Sequence, residues 1–391
     1  MKIVQAEIFD IDVAGLPTLH PIIVRLTTDD GITGVGESSL GWGIGHTGVA
    51  GMLKNLAESF AIGADPMKTE KLWETMFRNS FWALGGGPVV YGAMSALDIA
   101  AWDIKGKAMK LPIWQLLGGR TNDSIRAYAS HVQGGWGPEP KVSVTPDEYA
   151  EEARKAVAEG YDAVKISPVI VDGKGRRGTD LTKILSSDLV KLFYNRVKAV
   201  REAIGPNVEL IIDTFGLLSD TTAIQLGRLW EEFNIYYFEE PVNYNNVQMQ
   251  EQVTKNVKIP MAAGERIYTR WGYRPYFEKQ LLNVIQPDIG NCGGITEGKK
   301  ICDYANTYDI VVQCHTYGSP ITTAVSLQVE AAIPNFILHE HATPVLRPAV
   351  REICLTNYQP VKSRFAIPEL PGLGIELNDV VVNRSPHVIV K

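Results

Sequence analysis

Along residues 1–40, apolar and polar side chains alternate in two runs on either side of the turn-forming Asp29-Asp30-Gly31. This period of two predicts a hairpin in an antiparallel sheet. The rhythm then changes. Apolar positions three and four apart over 51–62, 67–79 and the stretch AMSALDIAAWDIKGKAM predict helices, and the chain breaks at Leu117-Gly118-Gly119. Between sheet and helices, the Gly-rich GWGIGHTG at 41–48 follows no strand that would make it a dinucleotide-binding turn, so it reads as a mobile loop.

Beyond residue 120, short apolar runs alternate with amphipathic helical stretches: IRAYAS, YDAVKIS, VELIID, IYYFEE, IPMAAGE, NVIQPD, IVVQCH and FILHE. Eight buried-looking strands separated by helices predict a parallel sheet. Their number and spacing fit a closed α/β barrel better than an open doubly wound sheet. The expected division is an α+β capping domain over 1–120, a barrel over 121–341, and a segment over 342–391 that returns to the cap. That last segment has Pro-rich loops and strand-like pieces such as DVVVN.

Composition narrows the function classes. A chain of 391 residues with 45% hydrophobic and 21% charged residues is an ordinary globular one. Its net charge of -6, without a basic tract, argues against nucleic acid. Cys292, Cys302, Cys314 and Cys354 form no C-x-x-C pair, which fits reduced thiols rather than a zinc ribbon or a disulfide framework. The N-terminus is interrupted by Glu7, Asp10 and Asp12, and nowhere do 18 apolar residues run together. The expectation is a soluble cytoplasmic protein without a membrane partner.

In a barrel of this kind the chemistry sits at the C-terminal strand ends. The residues there are Lys165, Asp213, Glu239, Glu265, Asp288, His315 and Glu340, and from Asp213 onward they recur about every 25 residues, one β/α unit at a time. Asp213, Glu239 and Glu265 would repel one another in a dry pocket unless a cation neutralised them. An all-oxygen set favours a hard ion, Mg²⁺ before Mn²⁺. Each acid alone could be a helix cap or a loop residue, but three in register are harder to explain that way. His315 and Asp288, one strand apart, have the arrangement in which a carboxylate orients an imidazole base. Beside a cation-bound substrate carboxylate, such a base could remove the α-proton.

With these residues in place, the chain is identified as resembling the enolase superfamily, in its mandelate racemase subgroup. The resemblance rests on ALDIAAWDIKGK, LPIWQLLGG, VKIS, IIDTFG, YFEEPV, AAGER, QPDIGNCGGITE, the His of CHTYGSP and the Glu of FILHE. It implies a (β/α)7β TIM-like barrel with a cap built from both termini, and homo-oligomers. It also implies Mg²⁺ on Asp213, Glu239 and Glu265, a His315–Asp288 base, and Glu340 hydrogen-bonding the substrate carboxylate or its enediolate. Glu240 would be a structural neighbour of the metal ligand. Many subgroup members carry K-x-K at the second strand, with the second lysine as a base on the opposite face. Here Lys165-Ile166-Ser167 leaves Ser167 in its place, which disfavours two-base racemisation. Lys165 can still bring positive charge to the substrate carboxylate.

AAGERIYTR and QPDIGNCGGITE are most similar to acid-sugar dehydratases of the galactonate type. Their expected reaction is α-proton abstraction followed by loss of the β-hydroxyl, giving a 2-keto-3-deoxy acid. Such enzymes often place a His two residues after the first metal ligand to protonate the leaving hydroxyl, where this chain has Phe215. The acid could instead be His315 itself, Tyr317, or His46 from the cap. Substrate selection is expected from Trp42–His46, Phe81–Leu84 and the VIVDGKGRRG insertion with Lys174, Arg176 and Arg177, a charge run that also fits a solvated loop. Rival readings are an epimerase or cycloisomerase on the same scaffold, an inactive homologue, and a zinc hydrolase using His339 and His341.

Overall fold

The computed structural model describes residues 1–178 and 180–391. Strands β1 (Ile3–Asp10), β2 (Ile22–Thr28) and β3 (Thr33–Ser38) pair antiparallel, with β2 and β3 joined by a tight turn. Gly31 takes φ 84° in that turn, a left-handed conformation that residues with a Cβ rarely adopt. Helices α1 (His46–Leu56), α2 (Thr69–Asn79) and α3 (Pro88–Met109) cover this sheet. The loop expected over 41–48 therefore ends at His46.

Helix α3 is buried on nearly every side because it lies between the cap sheet and the barrel. On its sheet side, Gly34 and Gly36 of β3 leave no room for a Cβ, which at Gly36 would lie 2.1 Å from the Ala96 carbonyl oxygen. On its barrel side, Trp102 Nε1 donates to Thr296 and Asp98 accepts from both the hydroxyl and the backbone N–H of Thr296. Deleting the Thr296 hydroxyl would leave the buried Trp102 indole N–H unpaired, and deleting the Asp98 carboxylate would do the same to the Thr296 N–H.

After the short helix α4 (Ile113–Leu116), the barrel strands run in chain order. They are β4 (Ile125–Ser130), β5 (Ala163–Ile166), β6 (Glu209–Asp213), β7 (Ile235–Glu239), β8 (Met261–Ala263), β9 (Val284–Ile285), β10 (Val311–Val312) and β11 (His339–Ala342). All neighbours are parallel, β11 pairs with β4, and a parallel bridge from Val312 to Phe336 joins the remaining edges. Each of the eight expected strands is present, and the fold is an α/β barrel with an α+β cap.

The tail makes two contacts. Strand β12 (Arg364–Phe365) pairs with β4, and β13 (His387–Val390) pairs with β1 in the cap sheet. DVVVN does not form a strand: Asp379–Val382 is a short helix in which only Val382 is buried. Its β-branched run has no strand to pair with there, and Asp379 is held by Arg25 at 2.6 Å, so tertiary context overrides propensity. All four cysteines are free and buried, and among the described residues no helix is long and apolar enough to cross a membrane.

Candidate active site

Strand residues alternate between two surroundings, and this places the polar side chains. Tyr128, Ala163, Ile211, Tyr237, Ala262, Val284 and Leu338 form one apolar cluster inside the barrel, while Val164, Ile166, Leu210, Ile212 and Phe238 face the outer helices. Two residues beyond the inner set, toward the C-terminal ends, stand Ser130, Lys165, Asp213, Glu239 and Glu340. They form a polar layer directly above an apolar plug. Asp213 and Glu239 are register partners on adjacent strands. Glu265 lies beyond β8, after Gly264, where a Cβ would come within 2.5 Å of the Gln286 backbone nitrogen.

Lys165 is the hub of this layer. Its fully buried Nζ lies 2.8 Å from Glu239 Oε1, 2.8 Å from Glu340 Oε1 and 3.9 Å from Asp213 Oδ2. Burial opposes its charge, but the surrounding carboxylates outweigh that and hold it well above the ordinary lysine range. Glu340 also accepts from Ser130 Oγ at 2.6 Å and from the Thr316 N–H at 3.0 Å. Against the cost of burial, Lys165 and His315 keep it well below the carboxylate range.

His315 and Asp288 form the expected pair. His315 Nδ1 lies 2.6 Å from Asp288 Oδ2, and Asp288 is itself fixed by the Gly290 N–H at 2.8 Å. The other ring nitrogen, Nε2, faces the polar layer, 3.2 Å from Glu265 Oε2 and 4.0 Å from Glu340 Oε2. Burial would lower its pKa, but Glu265, Glu340 and Asp288 together push it up to about 10. Glu240 turns the other way at φ 40° and pairs with Arg266; burial and Glu265 still push it up to about 8.

The negative charge in this mouth exceeds its fixed positive charge. Among the described residues, Asp213, Glu239, Glu240, Glu265, Asp288 and Glu340 make ion pairs only with Lys165 and Arg266, apart from histidines. Burial, Asp213 and Glu340 push Glu239 well above the carboxylate range even with Lys165 beside it, and its buried Oε2 has no hydrogen-bond partner. An all-oxygen donor set with an orphaned buried carboxylate oxygen fits a hard divalent cation such as Mg²⁺. In the structure the three acids are spread over three bases: Asp213 meets His131, Glu239 meets Lys165 and Glu265 meets His315. Their oxygens do not gather within 4.8 Å of one another. Among the described residues, the one His, Cys, Asp or Glu group that does is Asp10, His20 and His46.

Profiles of known families match nearly the whole chain. The "Enolase C-terminal domain-like" family covers residues 148–381, and the "Mandelate racemase / muconate lactonizing enzyme, N-terminal domain" family covers residues 6–118. The chain belongs to the mandelate racemase/muconate lactonizing enzyme family. A member of the enolase superfamily from Salmonella Typhimurium is 45% identical, with TM-score 0.97 and 100% of both chains covered. D-xylonate dehydratase of Haloferax volcanii is 32% identical over 96% of this chain and 87% of that protein. D-galactonate dehydratase of Ralstonia pickettii is 31% identical over 93% of this chain and 91% of that protein.

Other residues of this enolase-superfamily member stand as follows. Ser167 is buried just past β5; its hydroxyl has no partner and its carbonyl accepts from Tyr149. Phe215, at φ 53°, stacks on His131 with centroids 5.0 Å apart. Tyr317 meets Trp42 of the cap edge-on at 6.4 Å, so the loop before α1 touches the barrel, and burial pushes its hydroxyl up to about 12. His46 makes its contacts with Asp10 and His20 in the cap. Arg176 of the basic insertion is tied to Asp172 at 2.7 Å. His339 and His341 face outward from β11, bonded to Glu330 and Tyr161, on the opposite face from Glu340. They do not assemble with the strand-end residues as a zinc set.

Two site residues escape the strand-end rule as applied to the sequence. His131 follows β4 directly, as His315 follows IVVQC, and its Nε2 lies 3.0 Å from Asp213 Oδ2. The signal was present one residue past IRAYAS. Glu37 of β3 has no such signal: it accepts from the backbone N–H and the hydroxyl of Ser319, the residue that caps the helix Pro320–Ala331, and so joins cap to barrel.

Proposed function

We propose that this enzyme is a Mg²⁺-dependent acid-sugar dehydratase that converts an aldonic or aldaric acid into its 2-keto-3-deoxy product. The observation that carries the reading is the His315–Asp288 pair, with Nδ1 anchored at 2.6 Å and Nε2 aimed at the layer that holds Lys165 and Glu340. D-xylonate, D-galactonate and D-mannonate dehydratases among the relatives support the reaction class.

The substrate carboxylate lies over Lys165, whose buried ammonium offsets its charge. Asp213, Glu239 and Glu265 would hold Mg²⁺, which when bound would supply further positive charge to that carboxylate. In its neutral form, which requires that Glu265 no longer face it as a bare carboxylate, His315 Nε2 takes the α-proton, and the C–H electron pair moves into the carboxylate to form an enediolate. Lys165 stabilises that enediolate by its charge, and Glu340, ionised at 2.8 Å from the ammonium, holds Lys165 in place. The pair returns to expel the β-hydroxyl, which leaves as water once protonated. The enol that remains tautomerises to the ketone. Ser167 has no partner that would activate it as a second base, which favours one-base chemistry.

His131 is the acid this geometry favours. Its ring lies flat against Phe215, beside the position where relatives of the galactonate type are expected to carry their histidine. It is also held at φ 52°, a costly conformation that often marks functional residues. The test is a screen of the purified protein with Mg²⁺ against aldonic and aldaric acids, with semicarbazide detection of 2-keto products. Turnover of at least one acid, lost in His315→Asn, is the expected result. Epimerised acid without a keto product would refute dehydration.

A further inference from the structure

A second constellation lies in the cap, away from the barrel chemistry. Along β1, Ala6 and Ile8 pack with the cap helices, whereas Phe9 packs in the core shared with the barrel. Asp10 continues the helix-facing set by alternation. Leu19 belongs to the barrel-side core and Ile22 to the cap-helix core, so His20 shares the side of Asp10. His46 opens α1, whose Val49, Leu53 and Leu56 fill that same cap-helix core. Three chain segments thus bring two imidazoles and a carboxylate together on the sheet face that the cap helices cover.

Their donor atoms lie within 4.8 Å of one another. His46 Nδ1 lies 3.1 Å from Asp10 Oδ2, and the two imidazoles stack at 4.1 Å with planes 9° apart. His20 Nε2 lies 3.2 Å from the Pro17 carbonyl, a bond in which only the imidazole can be the donor. In neutral His20 the Nδ1 lone pair is therefore free. That nitrogen is buried without a hydrogen-bond partner, although Asp12 Oδ1 is 3.2 Å away and Asp10 Oδ1 3.9 Å away. A lone pair faces carboxylate oxygens with no proton well placed between them. Metal-bound histidines are commonly held in this way, with the far N–H on a backbone carbonyl.

We propose that Asp10, His20 and His46 form a second metal site, selective for a borderline divalent ion such as Zn²⁺ over Mg²⁺, with Asp12 in reach as a fourth ligand. Two nitrogen donors and a carboxylate suit Zn²⁺, Ni²⁺ or Cu²⁺ and not the all-oxygen preference of Mg²⁺. Uptake through His46 Nδ1 releases the proton shared with Asp10. The ion would fix the start of α1 and with it the loop running back to Trp42, which touches Tyr317, and to Ser39, whose N–H bonds the Gly290 carbonyl at 3.2 Å.

The experiment is calorimetric titration of ZnCl₂ into the full-length protein in excess Mg²⁺. One Zn²⁺ per chain is expected, retained in Asp213→Asn. Affinity should fall at least about tenfold in His20→Ala and in His46→Ala, since even losing an outer partner of a ligand costs about 10- to 100-fold. No Zn²⁺ uptake beside Mg²⁺, or uptake unchanged in both histidine variants, would overturn the site. Should those variants fail to fold, anomalous scattering from zinc-soaked crystals of the unaltered protein decides. A zinc peak bonded to His20 Nδ1 and Asp10 supports the site, and no peak there refutes it.

Discussion

Glu37 gives a test of the cap–barrel contact that needs no substrate. Burial pushes its carboxyl from 4.5 up to about 7, against the two hydrogen bonds from Ser319 and with a smaller push from Asp288. A folded-state pKa above the unfolded one means that the folded protein binds the extra proton, so stability falls as pH rises from about 4.5 to about 7. At about 1.4 kcal/mol per tenfold change in proton affinity, the full loss is roughly 3 kcal/mol, most of it incurred between pH 5 and 8. Glu37→Gln removes the titration while keeping an acceptor for the Ser319 N–H. Any cost of replacing the other hydrogen bond is the same at both pH values. The assay is urea unfolding of parent and variant at pH 5 and pH 8. The variant should gain roughly 2–3 kcal/mol on the parent between the two, because the other titrating groups are common to both proteins. Parallel pH dependence would show that Glu37 ionises normally and that its burial at the interface has been misjudged.

Four further outcomes are expected. His315→Asn should lower kcat at least about 10³-fold while Mg²⁺ affinity, read by calorimetry, stays near that of the parent; undiminished turnover would remove the base. Asp213→Asn should weaken Mg²⁺ binding markedly, and unchanged affinity would contradict the ligand set. His131→Phe should lower kcat by about 10²-fold or more with the natural hydroxyl leaving group, yet far less with a β-fluoro analogue that needs no proton to depart; equal losses on both would assign His131 a structural role. Gly264→Ala should destabilise the fold by about 1–3 kcal/mol, because its Cβ meets the Gln286 backbone rather than a movable side chain. A melting temperature equal to the parent's would refute that.

The barrel was legible in the sequence because its strands are short, apolar and separated by helical stretches of similar length. Local periodicity alone marks where each strand stops. Lys165, Asp213, Glu239, Asp288, His315 and Glu340 could be named on that rule, since a polar residue at the end of a buried run must emerge at the barrel mouth. The same rule stopped one residue short of His131. DVVVN was misread as a strand because β propensity is a property of the pairing partner as much as of the residue.

What the sequence determined by itself was the order of elements and the residue types at the strand ends, because both follow from near-neighbour spacing. Only the tertiary structure decided which charge meets which. Lys165 bridges Glu239 and Glu340, which lie on strands far apart in sequence; Glu37 reaches Ser319 across the cap–barrel contact; and His46 turns to Asp10 and His20. Each pairing joins segments distant in the chain, and no local pattern carries it. It is fixed by the energy of burying charged and polar groups, which is favourable only when the whole fold brings a partner to each.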